Sequence, residues 1–178
     1  MIKIVYFVHG TTIDNELKQA AGWNDVLLSE KGIYQSLQLK EKIDMDSIDL
    51  VISSDLKRAV DSAHNIFGDK KEILTDERIR ECNYGVLNGA NKELVKYEEH
   101  IYDKFEDGES LIDVEKRVKD FCNYLLENYD GKTIALVSHR APQLVFERMC
   151  NNLTWEEAIK NDWRNTGSWQ PGWNYVIK

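Results

Sequence analysis

Proline is nearly absent, with two residues in 178, so a long irregular or polyproline linker has little to be built from. Cysteine is scarce and odd in number. Cys82, Cys122 and Cys150 stand far apart with no C-x-x-C pair, which excludes the common zinc and dithiol motifs. Free thiols in a reducing, cytoplasmic setting are the expectation. No apolar run approaches the roughly 20 residues a membrane helix needs. The opening "MIKIVYFV" carries one lysine and no cleavage pattern, so it reads as a buried strand rather than a leader. Positive charge is the minority: 23 Lys and Arg against 31 Asp and Glu leave a net charge of -8. An acidic surface argues against nucleic acid or an anionic membrane as partner, while leaving room for a small basic pocket. Repeats, low-complexity runs and charge blocks are missing too, so one domain over residues 1–178 is expected.

Several catalytic signatures are also lacking. There is no G-x-S-x-G elbow; "GES" at 108–110 follows no strand, and "TGSW" at 166–169 has the wrong spacing. Walker A, H-E-x-x-H and G-x-G-x-x-G do not occur. A cysteine phosphatase would place an arginine six residues after its cysteine, but those positions hold Asn88, Asn128 and Glu156.

What is present alternates. Strand-like runs at 2–8, 47–54, 71–79, 132–138 and 172–178 are separated by helical patterns at 29–43, 55–67, 91–105, 110–128, 142–150 and 154–160. Asp55 and Thr154 are the expected caps of their helices. This alternation predicts a largely parallel α/β sheet with helices on both faces. Three strong strands end in polar residues: His9-Gly10-Thr11-Thr12, then Ser53-Ser54 with Arg58 one turn on, then Ser138-His139-Arg140. Ligands of open α/β sheets bind beyond the carboxyl ends of the strands. Helix N-termini there favour an anion. Two histidines and an arginine facing one crevice point to a phosphate or carboxylate site.

These segments resemble the histidine phosphatase superfamily, the phosphoglycerate-mutase-like group. "VHGTT" is similar to its opening R-H-G-x-T, with Asn15 six residues after the histidine. "GWNDVLLSEKGIYQ", "SSDLKRAVDSA", "RECNYGVLNG", "GESLIDVEKRV" and "ALVSHRAP" resemble its later blocks, in order. The resemblance implies a three-layer α/β/α sandwich with a mostly parallel central sheet. It also implies a phosphomonoester hydrolase for a small phosphorylated metabolite, with no metal or other cofactor. His9 would be the nucleophile, Glu81 the acid, and Arg58 and His139 the phosphate ligands. Gly10, Asn15, Gly22 and Tyr84 would fall among the substrate-binding positions, with Arg140 added because it adjoins His139. A mutase is less favoured, since the stretch from Glu81 to Glu109 is short for that group. Specificity is expected from residues 84–108 and from the late tryptophans, Trp155, Trp163, Trp169 and Trp173, most of them packing residues. The sequence leaves the oligomeric state open.

The chain departs from the pattern twice. Val8 stands where the family has an arginine, and Arg140 where it usually has glycine. Loss of one charge-assisted contact costs about 1.5–3 kcal/mol. Relocation of the charge to Arg140 is one expectation. A catalytically weakened or regulatory phospho-ligand-binding protein is the other.

Overall fold

A computed structural model describes residues 1–166 and 172–178. The five strands are β1 (Ile2–Val8), β2 (Leu50–Ser53), β3 (Ile73–Thr75), β4 (Thr133–Ser138) and β5 (Trp173–Ile177). They form one sheet in the order β3-β2-β4-β1-β5. All pairings are parallel except that of β5, which runs antiparallel beside β1. The central strand β4 is apolar almost throughout because both its faces are covered.

Helices α2 (Glu30–Lys40) and α3 (Lys57–Phe67) lie against one face. There Leu39, Ala63, Ile66 and Phe67 pack on Phe7, Val51 and Val137. On the other face α4 (Leu111–Asn128) and α5 (Arg140–Asn151) bury Val118, Phe121, Leu144 and Phe146 against Ile4, Tyr6 and Leu136. Short helices α1 (Ile13–Glu16) and α6 (Trp155–Lys160) complete the set. The layers are therefore α/β/α about a mostly parallel sheet. Caps follow the sequence: Ser29 accepts from Gly32 N–H, and Ser110 and Thr154 form reciprocal capping boxes with Asp113 and Glu157. No helix among the described residues is long and apolar enough to cross a membrane.

Two local expectations are corrected. Asp55 does not cap α3; Leu56 holds that position, and Asp55 pairs with both Arg80 Nε and Nη2, at 2.7 and 2.5 Å. The segment 91–105 is not a helix. It holds only short 3₁₀ turns at Lys92–Leu94 and Tyr97–Glu99. Tyr97, Ile101 and Phe105 are all buried, and their four-residue spacing imitates a helical stripe. The backbone there is engaged elsewhere: the carbonyls of His100 and Ile101 accept from Leu111 and Ile112 N–H at the start of α4.

Candidate active site

Register creates the site. Strands β1 and β4 run parallel with Val8 beside Ser138, and His9 N–H continues the ladder to Ser138 O at 3.1 Å. The next residue of each strand is a histidine, and the rings of His9 and His139 emerge 5.1 Å apart. His9 Nδ1 lies 2.7 Å from Gly10 O. A carbonyl only accepts, so Nδ1 carries the proton and Nε2 the lone pair. Arg58 Nε donates to that Nε2 at 3.3 Å. The buried Arg58 is aimed by two carbonyls, Gly22 O at 2.7 Å and Asn24 O at 3.0 Å.

Burial, then the charge of Arg58, pushes His9 down to about 3, with Arg164 adding and the Gly10 bond opposing. Burial, followed by Arg58 and His9, holds His139 well below its usual value. Both imidazoles are neutral at neutral pH. Tyr6 O–H donates to His139 O at 2.8 Å, fixing the backbone. The two ring nitrogens of His139 are buried and have no partner among the described residues. An unmet buried polar group costs about 1–3 kcal/mol. An anion in this corner would satisfy it.

Glu81 faces the same space. Its Oε1 accepts from Cys82 N–H and Ala141 N–H, both at 2.9 Å, and from Tyr97 O–H at 3.2 Å. Its Oε2 accepts from Arg140 N–H at 3.2 Å. The carboxylate thus caps the N-terminus of α5 from across the site. Tyr84 and Tyr97 share a 2.8 Å hydroxyl contact, and burial raises both phenols well above their usual value, so each keeps its proton. The backbone of Glu81 is clamped as well. Glu81 O takes Trp23 Nε1–H at 2.7 Å and Arg117 Nη2 at 2.9 Å. Arg117 also holds Arg78 O and Arg80 O, and its own fork is set by Glu109 at 2.9 and 3.0 Å. The "GES" segment therefore works through Arg117 on Glu81, while Ser110 caps α4.

A cavity of about 500 Å³ opens over these groups. Of the sequence candidates, His9, Arg58, Glu81, Asn15, Gly22, Tyr84 and Arg140 line it, and Val8 does too, whereas His139, fully buried beside His9, does not. Asn15 is also structural, since its side chain closes a capping box with Thr12. Gly10 acts from behind. Its carbonyl holds His9, its N–H donates to Ser62 Oγ at 3.0 Å, and a Cβ there would lie 2.4 Å from Gly32 O.

Sequence reading missed Lys92, Asp162 and Arg164. Lys92 and Arg164 line the cavity. The side chain of Asp162 is fully buried and binds two guanidiniums: Arg140 Nε at 2.7 Å and Arg164 Nη1 at 2.9 Å. Burial works to raise its carboxyl, but Arg164 and Arg140 prevail and hold it below the usual range. Arg140 Cζ also lies 4.4 Å over the Tyr97 ring. The only signal was the run "NDWRN" at 161–165, two opposite charges on either side of a tryptophan. Of the late tryptophans, Trp155 is core, Trp163 lines the cavity and Trp173 pairs with β1; Trp169 lies outside the described residues.

Known proteins place the chain. Phosphoserine phosphatase 1 of Hydrogenobacter thermophilus is 31% identical over 153 residues, covering 80% of this chain and 72% of that protein. A 2,3-bisphosphoglycerate-dependent phosphoglycerate mutase of Staphylococcus aureus is 34% identical over 99 residues. That match spans 52% of this chain and only 43% of the mutase. A phosphoserine phosphatase variant of Entamoeba histolytica, crystallised with phosphoserine, superposes with a TM-score of 0.78 at 26% identity, covering 90% of this chain and 85% of that one. Bacillus stearothermophilus YhfR shares the fold with a TM-score of 0.80 at 21% identity, covering 89% and 84%. The family model for the histidine phosphatase superfamily, branch 1, matches residues 5–170, and the chain belongs to that superfamily.

Proposed function

We propose that the chain is a phosphomonoester hydrolase, a single catalytic domain working through phospho-His9. One observation carries the reading: a His9 Nε2 that keeps its lone pair toward the 3.3 Å contact from buried Arg58, beside a His139 ring with no partner among the described residues. Nε2 attacks phosphorus while the bond to the leaving oxygen breaks, and Glu81, carrying a proton that the second half-reaction restores, delivers it to that oxygen. Glu81 then takes a proton from water as it attacks the phosphohistidine. The P–N bond breaks and orthophosphate leaves. Arg58 and His139 meet the equatorial oxygens, where charge spreads during transfer. Asn15, Gly22, Tyr84 and Arg140 shape the space around the ester.

Small phosphorylated hydroxy acids are the first substrate class to assay, since relatives include phosphoserine phosphatases. An acidic surface with a local basic cavity suits a small anion rather than nucleic acid. Free Cys82, Cys122 and Cys150 suit a cytoplasmic setting. The test is a rapid quench with a labelled phosphate ester. Acid-labile, base-stable label should appear on His9, and His9→Ala should lose both label and turnover. Turnover without label on His9 would overturn the mechanism. Binding without turnover would favour a regulatory protein.

A further inference from the structure

Val8 leaves the nucleophile without the cation expected before it, and the structure offers a replacement from another part of the chain. Side chains alternate along a strand, so Val8 shares a face with Tyr6. It packs on the cluster that holds Tyr6 and touches Trp173, whereas Val5 and Phe7 pack on the opposite face. Trp173 is the partner of Tyr6 across β1 and β5. Beside that ring sits a guanidinium: Arg164 Cζ lies 4.8 Å from the Trp163 ring and 6.0 Å from the Trp173 ring. Val8 and Arg164 thus look into one cavity from the same face of the sheet, and both line it.

Arg164 is built in rather than draped over the surface. Nη1 donates to Asp162 Oδ1 at 2.9 Å and to Gln143 Oε1 at 3.2 Å. Gln143 is itself held by Tyr175 Oη at 2.9 Å. Nη2 is buried with no partner among the described residues, a costly state that an anion oxygen would relieve. The field of Arg164 also reaches the nucleophile, adding to that of Arg58 in keeping the imidazole neutral. Arg140 is placed differently. Its Nε is spent on the other oxygen of Asp162, its plane lies on Tyr97, and its N–H binds Glu81. That is the side of the acid and the leaving group.

We propose that Arg164 is a phosphoryl-binding residue, supplying from the C-terminal side the guanidinium that Val8 does not, with buried Asp162 as its positioning residue. The proposal rests on the hydrolase reading above for its meaning, but orthophosphate binding tests it without turnover.

Calorimetry with orthophosphate, and kcat/KM for phosphoserine and for p-nitrophenyl phosphate, which has no second anion, are measured on five variants: Arg164→Met, Val8→Arg, their combination, Asp162→Asn, and Asp162→Asn combined with Val8→Arg. Arg164→Met should weaken orthophosphate and lower kcat/KM by at least about tenfold, the scale of one charge-assisted contact. Val8→Arg should restore most of that loss in the double variant and add little to the parent. Val8→Arg should likewise rescue Asp162→Asn, which a merely structural role for Asp162 would not allow. Arg164→Lys, which keeps charge without the fork, serves if the methionine variant does not fold, and should fall between parent and Arg164→Met. Three results would overturn the proposal. Arg164 variants could leave orthophosphate binding intact. The loss could be confined to phosphoserine, so that Arg164 reads a second anionic group. Or Val8→Arg could raise binding equally in both backgrounds. Absence of phospho-His9 in the parent would instead defeat the hydrolase reading while leaving the calorimetric result standing.

Discussion

Glu81 shows how one carboxylate serves two purposes at the scale of a residue. It accepts four hydrogen bonds, two of them from the first turn of α5, and so joins the proposed acid to the helix that follows His139. The geometry leaves it on the cavity wall, where the proposed mechanism needs a proton donor. Proton delivery matters most when the leaving alkoxide is poor and least when it is an aryl oxide. Glu81→Gln should therefore slow an alkyl phosphate at least about a hundredfold, in line with the usual worth of a positioned acid, and p-nitrophenyl phosphate far less. The ratio of the two kcat values is the measurement, and an equal fall for both esters would leave Glu81 as a cap alone. The residue types of this site were visible in the sequence, because His9, Glu81 and His139 sit in recognisable local strings. The direction of Arg140 was not, since nothing local says that its Nε is tied to Asp162, twenty-two residues away.

Elements were legible where a run of β-branched residues ends abruptly. β1, β2 and β4 follow directly from "IKIVYFV", "SIDLVISS" and "KTIALVS", and with them the three strand ends that carry His9, Arg58 and His139. Legibility failed where long-range contact replaced local periodicity. Residues 91–105 bury Tyr97, Ile101 and Phe105 at helical spacing without making a helix, because their carbonyls serve the N-terminus of α4. Arg164 was invisible for a related reason. Its place on the cavity wall follows from contacts with Asp162, Gln143 and the Trp173 ring, which no local string announces. The same logic explains Arg117, whose fork on Glu109 supports three carbonyls from 78 to 81. Arg117→Met would strand Glu109 with its side chain only 18% exposed. A broken, largely buried pair costs about 3–5 kcal/mol, and the low end is expected here. The urea midpoint should fall accordingly, and the residual folded enzyme should show the alkyl-ester defect of Glu81→Gln. A normal ester ratio in that variant would separate the clamp from the acid.

For the molecule as a whole, an acidic chain of net charge -8 encloses a cavity faced by Arg58, Lys92, Arg140 and Arg164, with half-buried His9 on its wall and buried His139 beside it, both neutral. Those histidines tie stability to pH. Folded His9 resists protonation until about 3, and His139 is also held well below 6.5, the ordinary value at which an unfolded histidine takes its proton. Below pH 6.5 the unfolded chain therefore binds more protons than the native one, and stability falls as pH falls. Each histidine contributes a slope of up to about 1.4 kcal/mol per pH unit. Above that value neither state is protonated and the contribution is flat. The carboxyls with depressed values, such as Asp113, Glu115 and Asp162, act below about pH 5, so the interval above it isolates the histidines. Urea midpoints taken from about pH 7.5 down to about 5 should decline steadily below 6.5, and His9→Gln should remove roughly half of the decline. Saturating orthophosphate should raise the midpoint at every pH, as any ligand of the native state does. It should also flatten the slope, because an anion beside His139 favours the protonated ring that burial opposes. A parent protein equally stable at both ends of the range would show that the rings are not held neutral. A slope unchanged by orthophosphate would show that the anion binds away from them.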